Sequence, residues 1–154
     1  MWDVLAEVPR GYAIPHDEVH VWLTRVGWPS RHIRALVDIL SLDERQKAER
    51  CRFQVDYERH VIGRALVRVV LGRILYTRPE NLCFRYNDFG KPFLLEALNE
   101  HRLQFNVSHS GGLILIALAV DRQIGVDAER VRNDLELEAS SAEVLTPRAS
   151  GPKI

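Results

Sequence analysis

Three short runs of the 154-residue sequence carry side chains able to do chemistry, and all lie in its second half. The first is Gly90-Lys91-Pro92. Glycine permits a tight turn and proline blocks helix continuation, so Lys91 is offered from a turn as a cation for a phosphate group. Gly-Lys-Pro is equally a common turn, and it lacks the spacing of a Walker loop. The second run is Phe105-Asn106-Val107-Ser108-His109-Ser110-Gly111-Gly112. Strand alternation sets Phe105, Val107 and His109 on one side and Asn106, Ser108 and Ser110 on the other. His109 suits a base, a donor to a phosphate oxygen, or a structural histidine at a strand end. A serine hydrolase would want Gly-x-Ser-x-Gly between a parallel strand and a helix, and Ser108 has neither. The third run is Gly125-Val126-Asp127-Ala128-Glu129. On a strand, Asp127 and Glu129 point to one side about 6.6 Å apart, at roughly 3.3 Å per residue. Two hard oxygen donors suit Mg²⁺, although Asp-x-Glu is also ordinary surface sequence. No His/Cys constellation suggests zinc.

Together the runs supply what one reaction needs. A lysine and arginines hold phosphate charge, a Ser-His pair orients it, and paired carboxylates bring magnesium to a pyrophosphate. Phosphoryl transfer rests on this kind of positioning and charge stabilisation. The combination favours a Mg²⁺-dependent enzyme of a phosphorylated cofactor over a hydrolase.

The elements that must position these groups follow from periodicity. Residues up to about Asp17 read as loop, and Val19-His20-Val21-Trp22-Leu23 alternates as a strand. Ser30 is placed to cap a helix from Arg31 to Leu40, with Ile33, Leu36, Val37 and Leu40 on one face. Ser41-Leu42-Asp43-Glu44 fits a capping box opening a short helix. A long helix from about Asp56 to Tyr76 carries an apolar stripe of Val61, Ile62, Ala65, Leu66, Val69, Val70 and Ile74. On another of its faces His60, Arg64 and Arg68 form a basic line about 12 Å long, read as a solvated face or a phosphate-facing edge. Short strands follow at Cys83–Tyr86, Lys91–Leu95, Leu103–Val107, Leu113–Val120 and Ile124–Ala128, with turns at Asn87–Gly90, Ser110–Gly112 and Asp121-Arg122. A helical first half and a meandering β second half predict an α+β fold, with the long helix packed on a small antiparallel sheet.

Composition bounds the class. Hydrophobic residues make up 46% and charged residues 27%, an ordinary globular balance in a length expected to form one domain. Lys+Arg and Asp+Glu are 21 each, so the net charge is zero and nucleic-acid binding gains no support. The only lysines are Lys47, Lys91 and Lys153. No apolar run approaches the roughly 20 residues of a membrane span, and no secretory signal is visible at the start. Cys51 and Cys83 do not form a CxxC pair and read as buried or semi-buried thiols of a reducing compartment. A cytoplasmic protein is expected.

The order Lys47, Asp56, Gly63-Arg64-Ala65-Leu66-Val67-Arg68, Gly90-Lys91-Pro92, Phe105-Asn106-Val107-Ser108-His109-Ser110 and Gly125-Val126-Asp127-Ala128-Glu129 resembles 4'-phosphopantetheinyl transferases of the Sfp type, over roughly residues 20–138. Such enzymes move the phosphopantetheine arm of coenzyme A onto a serine of a carrier protein, leaving 3',5'-adenosine bisphosphate. The resemblance implies that Lys47, Gly90, Lys91, Pro92, Ser108 and His109 bind the cofactor. It implies that Asp127 and Glu129 hold Mg²⁺ and, with His109, form the catalytic set. The partner it implies is an apo acyl or peptidyl carrier protein.

Members of that family have two similar α+β halves with the cofactor between them, the second half bringing a Trp-x-x-Lys-Glu-like motif. Here no tryptophan follows Trp28, the only later lysine is Lys153, and nothing places Glu136, Glu138 or Glu143 in such a motif. The resemblance therefore implies residues 1–132 as a first half and 133–154 as an irregular tail, truncated at the C-terminus. Half a cleft implies impaired turnover and an exposed, partly apolar face prone to self-association. A non-catalytic module binding coenzyme A or a carrier protein is the alternative.

Overall fold

The computed structural model describes residues 12–95, 99 and 102–131. Strand β1 (His20–Arg25) forms where the sequence alternates, but its more apolar phase faces outward. Thr24 is buried opposite Ile114, whereas Val21 and Leu23 are 54% and 53% exposed. Helix α1 (Ser30–Val37) buries Ile33 and Leu36. Pro29 occupies its N-cap, so Ser30 lies inside the helix and does not cap it. Helix α2 (Leu42–Glu49) opens as expected, with the Glu44 carboxylate accepting from the Ser41 N–H at 3.1 Å.

Helix α3 (Gln54–Ile74) is the centrepiece, buried along most of its length from Val61 onward. It ends two residues before Tyr76, which takes φ 53° while the Thr77 N–H donates to the Gly72 carbonyl. One side of α3 packs Val61, Ile62 and Ala65 against Ile33, Leu36, Leu40 and Ala48. Another packs Leu66, Val70 and Ile74 against the sheet residues Phe105, Ile116 and Leu118.

A 3₁₀ turn (Pro79–Asn81) leads into the hairpin of β2 (Phe84–Tyr86) and β3 (Pro92–Leu94). Strands β4 (Leu103–Ser110) and β5 (Leu113–Val120) complete an antiparallel three-stranded sheet of order β1-β5-β4. The fold is α+β, a long helix on a small antiparallel sheet. The expected strand at Ile124–Ala128 does not form: the chain there has no backbone ladder, for reasons that concern the site. The anticipated boundary at 132 and the tail 133–154 lie outside the described residues. Among the described residues, no helix is long and apolar enough to cross a membrane. Cys51 is half-buried, but Cys83 is exposed, contrary to the expectation of buried thiols.

Candidate functional site

The basic line on α3 is neither a solvated face nor uniformly a phosphate edge. Arg68 is 1% exposed and pairs with the equally buried Glu44 at 2.7 Å. Its NH1 also donates to the Pro79 and Leu82 carbonyls, both at 2.9 Å. Arg68 is thus a structural tie between α2, α3 and the 3₁₀ turn. Arg64, one turn earlier, donates from NH2 to the Tyr86 hydroxyl at 3.0 Å and lies 4.0 Å from Glu44 through Nε. His60 donates from Nε2 to the Glu44 carbonyl at 3.1 Å, which fixes its tautomer. Burial, reinforced by Arg64, holds the His60 imidazole below its ordinary value.

A cavity of about 350 Å³ opens between the N-terminal half of α3, the turn before β3 and the end of β4. Arg59, His60, Arg64, Gly90, Lys91, Pro92, Asn106 and His109 all line it. Arg59 NH1 is paired with Asp56 at 2.8 Å, while its Nε is buried with no hydrogen-bond partner among the described residues. Lys91 Nζ donates to the Ile124 carbonyl at 2.7 Å, so the Gly90-Lys91-Pro92 turn is tied to the acidic stretch. Gly90 takes φ 75°, the conformation that the turn requires of a glycine.

Lys47 does not line this cavity. Its Nζ sits 4.0 Å above the centre of the ring of Tyr86, the residue whose hydroxyl accepts from Arg64. Burial pushes the Tyr86 phenol up, so it stays a neutral ring beneath the two cations.

Alternation along β4 separates the Ser108-His109 pair. His109 faces the cavity, while Ser108 points to the other face of the sheet and donates to Asp127 Oδ1 at 2.8 Å. The same oxygen accepts the Ala128 N–H at 2.9 Å, and among the described residues the second carboxylate oxygen has no hydrogen-bond partner. Asp127 and Glu129 are both exposed, and the described residues contain no group of three or more metal-ligating side chains. Two carboxylates fit Mg²⁺, which takes one or two of them and fills its octahedron with water and phosphate oxygens.

Arg59, Glu44, Tyr86 and Asn106 take part in this architecture without having stood out as candidates. Asp56 to Arg59 is one helical turn, a spacing that could have signalled the pair. The Glu44–Arg68, Lys47–Tyr86 and Asn106–Val126 contacts join distant segments and leave no local pattern.

A family model described as 4'-phosphopantetheinyl transferase, N-terminal, matches residues 27–121. The chain is 36% identical over 140 residues to the 4'-phosphopantetheinyl transferase HetI of Nostoc sp., covering 91% of this chain and 59% of that protein. It is 31% identical over 116 residues to a phosphopantetheinyl transferase of Thraustochytrium sp., covering 73% and 40% respectively. With the 4'-phosphopantetheinyl transferase Sfp of Bacillus subtilis it shares 29% identity over 96 residues, 62% of this chain and 41% of Sfp. The chain spans less than two thirds of each of these relatives.

Proposed function

The chain belongs to the 4'-phosphopantetheinyl transferase family, and on that premise we propose that it supplies the donor-holding half of an enzyme that moves phosphopantetheine from coenzyme A to a serine of an apo acyl or peptidyl carrier protein. The observation that carries this reading is the meeting of Arg59, Arg64, Lys91 and His109 on one cavity. These groups come from a helix, a turn and a strand end, and between them they present guanidinium, ammonium and imidazole donors to a diphosphate.

In this reading Lys91 and His109 contact donor phosphates from inside the cavity, with Gly90 and Pro92 shaping the turn. Lys47 reaches the donor from the Tyr86 side. Ser108 contributes by orienting Asp127. Asp127 and Glu129 hold Mg²⁺, which when bound neutralises charge on the departing adenosine bisphosphate. His109 holds a donor oxygen by hydrogen bonding. The first half extends over residues 1–132, and the exposed Val21 and Leu23 let copies associate. A cytoplasmic setting accords with the free Cys51 and Cys83.

The test has two arms. Calorimetry of the 154-residue chain with coenzyme A and Mg²⁺ is expected to show binding that Lys91→Met weakens at least about tenfold, the loss of one or two charge-assisted bonds. Asp127→Ala is expected to abolish the Mg²⁺ dependence of that binding. Incubation with coenzyme A, Mg²⁺ and an apo carrier protein, followed by mass spectrometry of the carrier, is expected to show little or no modification by this chain alone. Binding without transfer fits a donor-holding half or a non-catalytic module. Absence of coenzyme A binding would sink the assignment, and efficient transfer would overturn the claim of impaired turnover.

A further inference from the structure

The stretch that bears Asp127 and Glu129 has no ladder partner, yet it is held at every second residue. Lys91 Nζ donates to the Ile124 carbonyl at 2.7 Å. The Val126 N–H donates to Asn106 Oδ1 at 2.9 Å. The Ala128 N–H donates to Ser108 Oγ at 3.0 Å. The Arg130 N–H donates to Ser110 Oγ, also at 3.0 Å. The last three contacts advance by two residues on both chains, so the polar face of β4 and residues 126–130 run in step in the same direction.

Alternate N–H groups of an extended chain point to the same side, and a slip of one residue exchanges the two sides. Three acceptors spaced two apart therefore accept one set of amides and reject the other. We propose that Asn106, Ser108 and Ser110 are positioning residues that lock the register of segment 124–130, so that side chains, in place of a backbone ladder, set Asp127 and Glu129 outward together. Ser108 acts twice, accepting from the Ala128 N–H and donating to Asp127 Oδ1 at 2.8 Å. The lock also explains the absence of the expected last strand: side-chain acceptors satisfy its amides where a neighbouring strand would have done so.

The assignment of the two carboxylates to a cation rests on the function proposed above, whereas the register lock stands on the hydrogen bonds alone. Amide hydrogen exchange by NMR on the whole chain distinguishes them. In the wild type, Val126, Ala128 and Arg130 are expected to exchange at least about fivefold more slowly than Asp127 and Glu129. Ser110→Ala removes the protection of Arg130, and Ser110→Thr, which keeps the hydroxyl, restores it. Asn106→Ala does the same at Val126, with Asn106→Asp as the restoring variant. Addition of Mn²⁺ with coenzyme A is then expected to broaden the 127–129 amides, at a several-fold higher Mn²⁺ concentration in Asn106→Ala/Ser110→Ala. Equal exchange across 126–130 in the wild type, or protection unchanged in the Ala variants, overturns the lock. Alternating protection without broadening keeps the lock and overturns the metal assignment. Should an Ala variant fail to fold, the wild-type pattern with the Thr and Asp variants decides.

Discussion

Glu44 and Arg68 meet at 2.7 Å with both side chains almost fully buried, and the consequences are specific to that burial. Removing one partner of such a pair strands a charge in a low-dielectric interior. Glu44→Ala is therefore expected to destabilise the fold by about 3–5 kcal/mol in urea unfolding. Glu44→Leu/Arg68→Met is expected to cost less than the sum of its single changes, because the cycle removes both charges together. His60 gives a pH dependence at the same scale. Its folded value is lowered from 6.5 by burial and then by Arg64, so the folded state binds its proton less readily than the unfolded chain. The stability this contributes is present above the unfolded value and is lost as pH falls through the folded one. Tm measured from about pH 7.5 downward is expected to fall less steeply in His60→Asn than in the wild type through the histidine range.

At the scale of elements, α3 is limited at its end by a close approach. A Cβ placed on Gly72 would lie 2.6 Å from the Thr77 carbonyl oxygen, in the segment that turns the chain back toward the sheet. Gly72→Ala forces that backbone to shift and is expected to cost about 1–3 kcal/mol. Thermal unfolding beside Gly63→Ala checks this, since a Cβ there meets the Ile114 side chain only at 3.9 Å, an ordinary contact. Local pattern reveals those parts of the site that near neighbours decide. The capping box at Ser41, the turn before Lys91 and the alternation of β4 were all legible, because each is decided by neighbours within a few residues. The burial of Arg68 was not, since a basic residue three turns into a helix reads as solvated until a carboxylate from α2 is set against it. The strand expected at Ile124 failed for a related reason: alternation identifies an extended chain but not what satisfies its amides.

For the molecule as a whole, the exposed apolar residues of β1 matter most. Val21 and Leu23 sit side by side on the outward phase of an edge strand, which among the described residues pairs only with β5. Such an edge is a template for pairing and apolar contact. Light scattering across a concentration series is expected to show reversible association, and Val21→Thr/Leu23→Thr is expected to shift it toward monomer. A concentration-independent monomeric mass in the unaltered chain would exclude this use of the face.

Residue type and short spacing are enough to identify the family, the α+β order of elements and the motifs bearing Lys91, His109, Asp127 and Glu129. The packed fold brings His109 into the cavity and turns Ser108 away to Asp127. It alone also separated the two arginines, leaving Arg64 beside Tyr86 and sealing Arg68 against Glu44. The physical reason is that a side chain's chemistry is carried by its type, but its protonation, exposure and partner are set by groups brought to it from far along the chain.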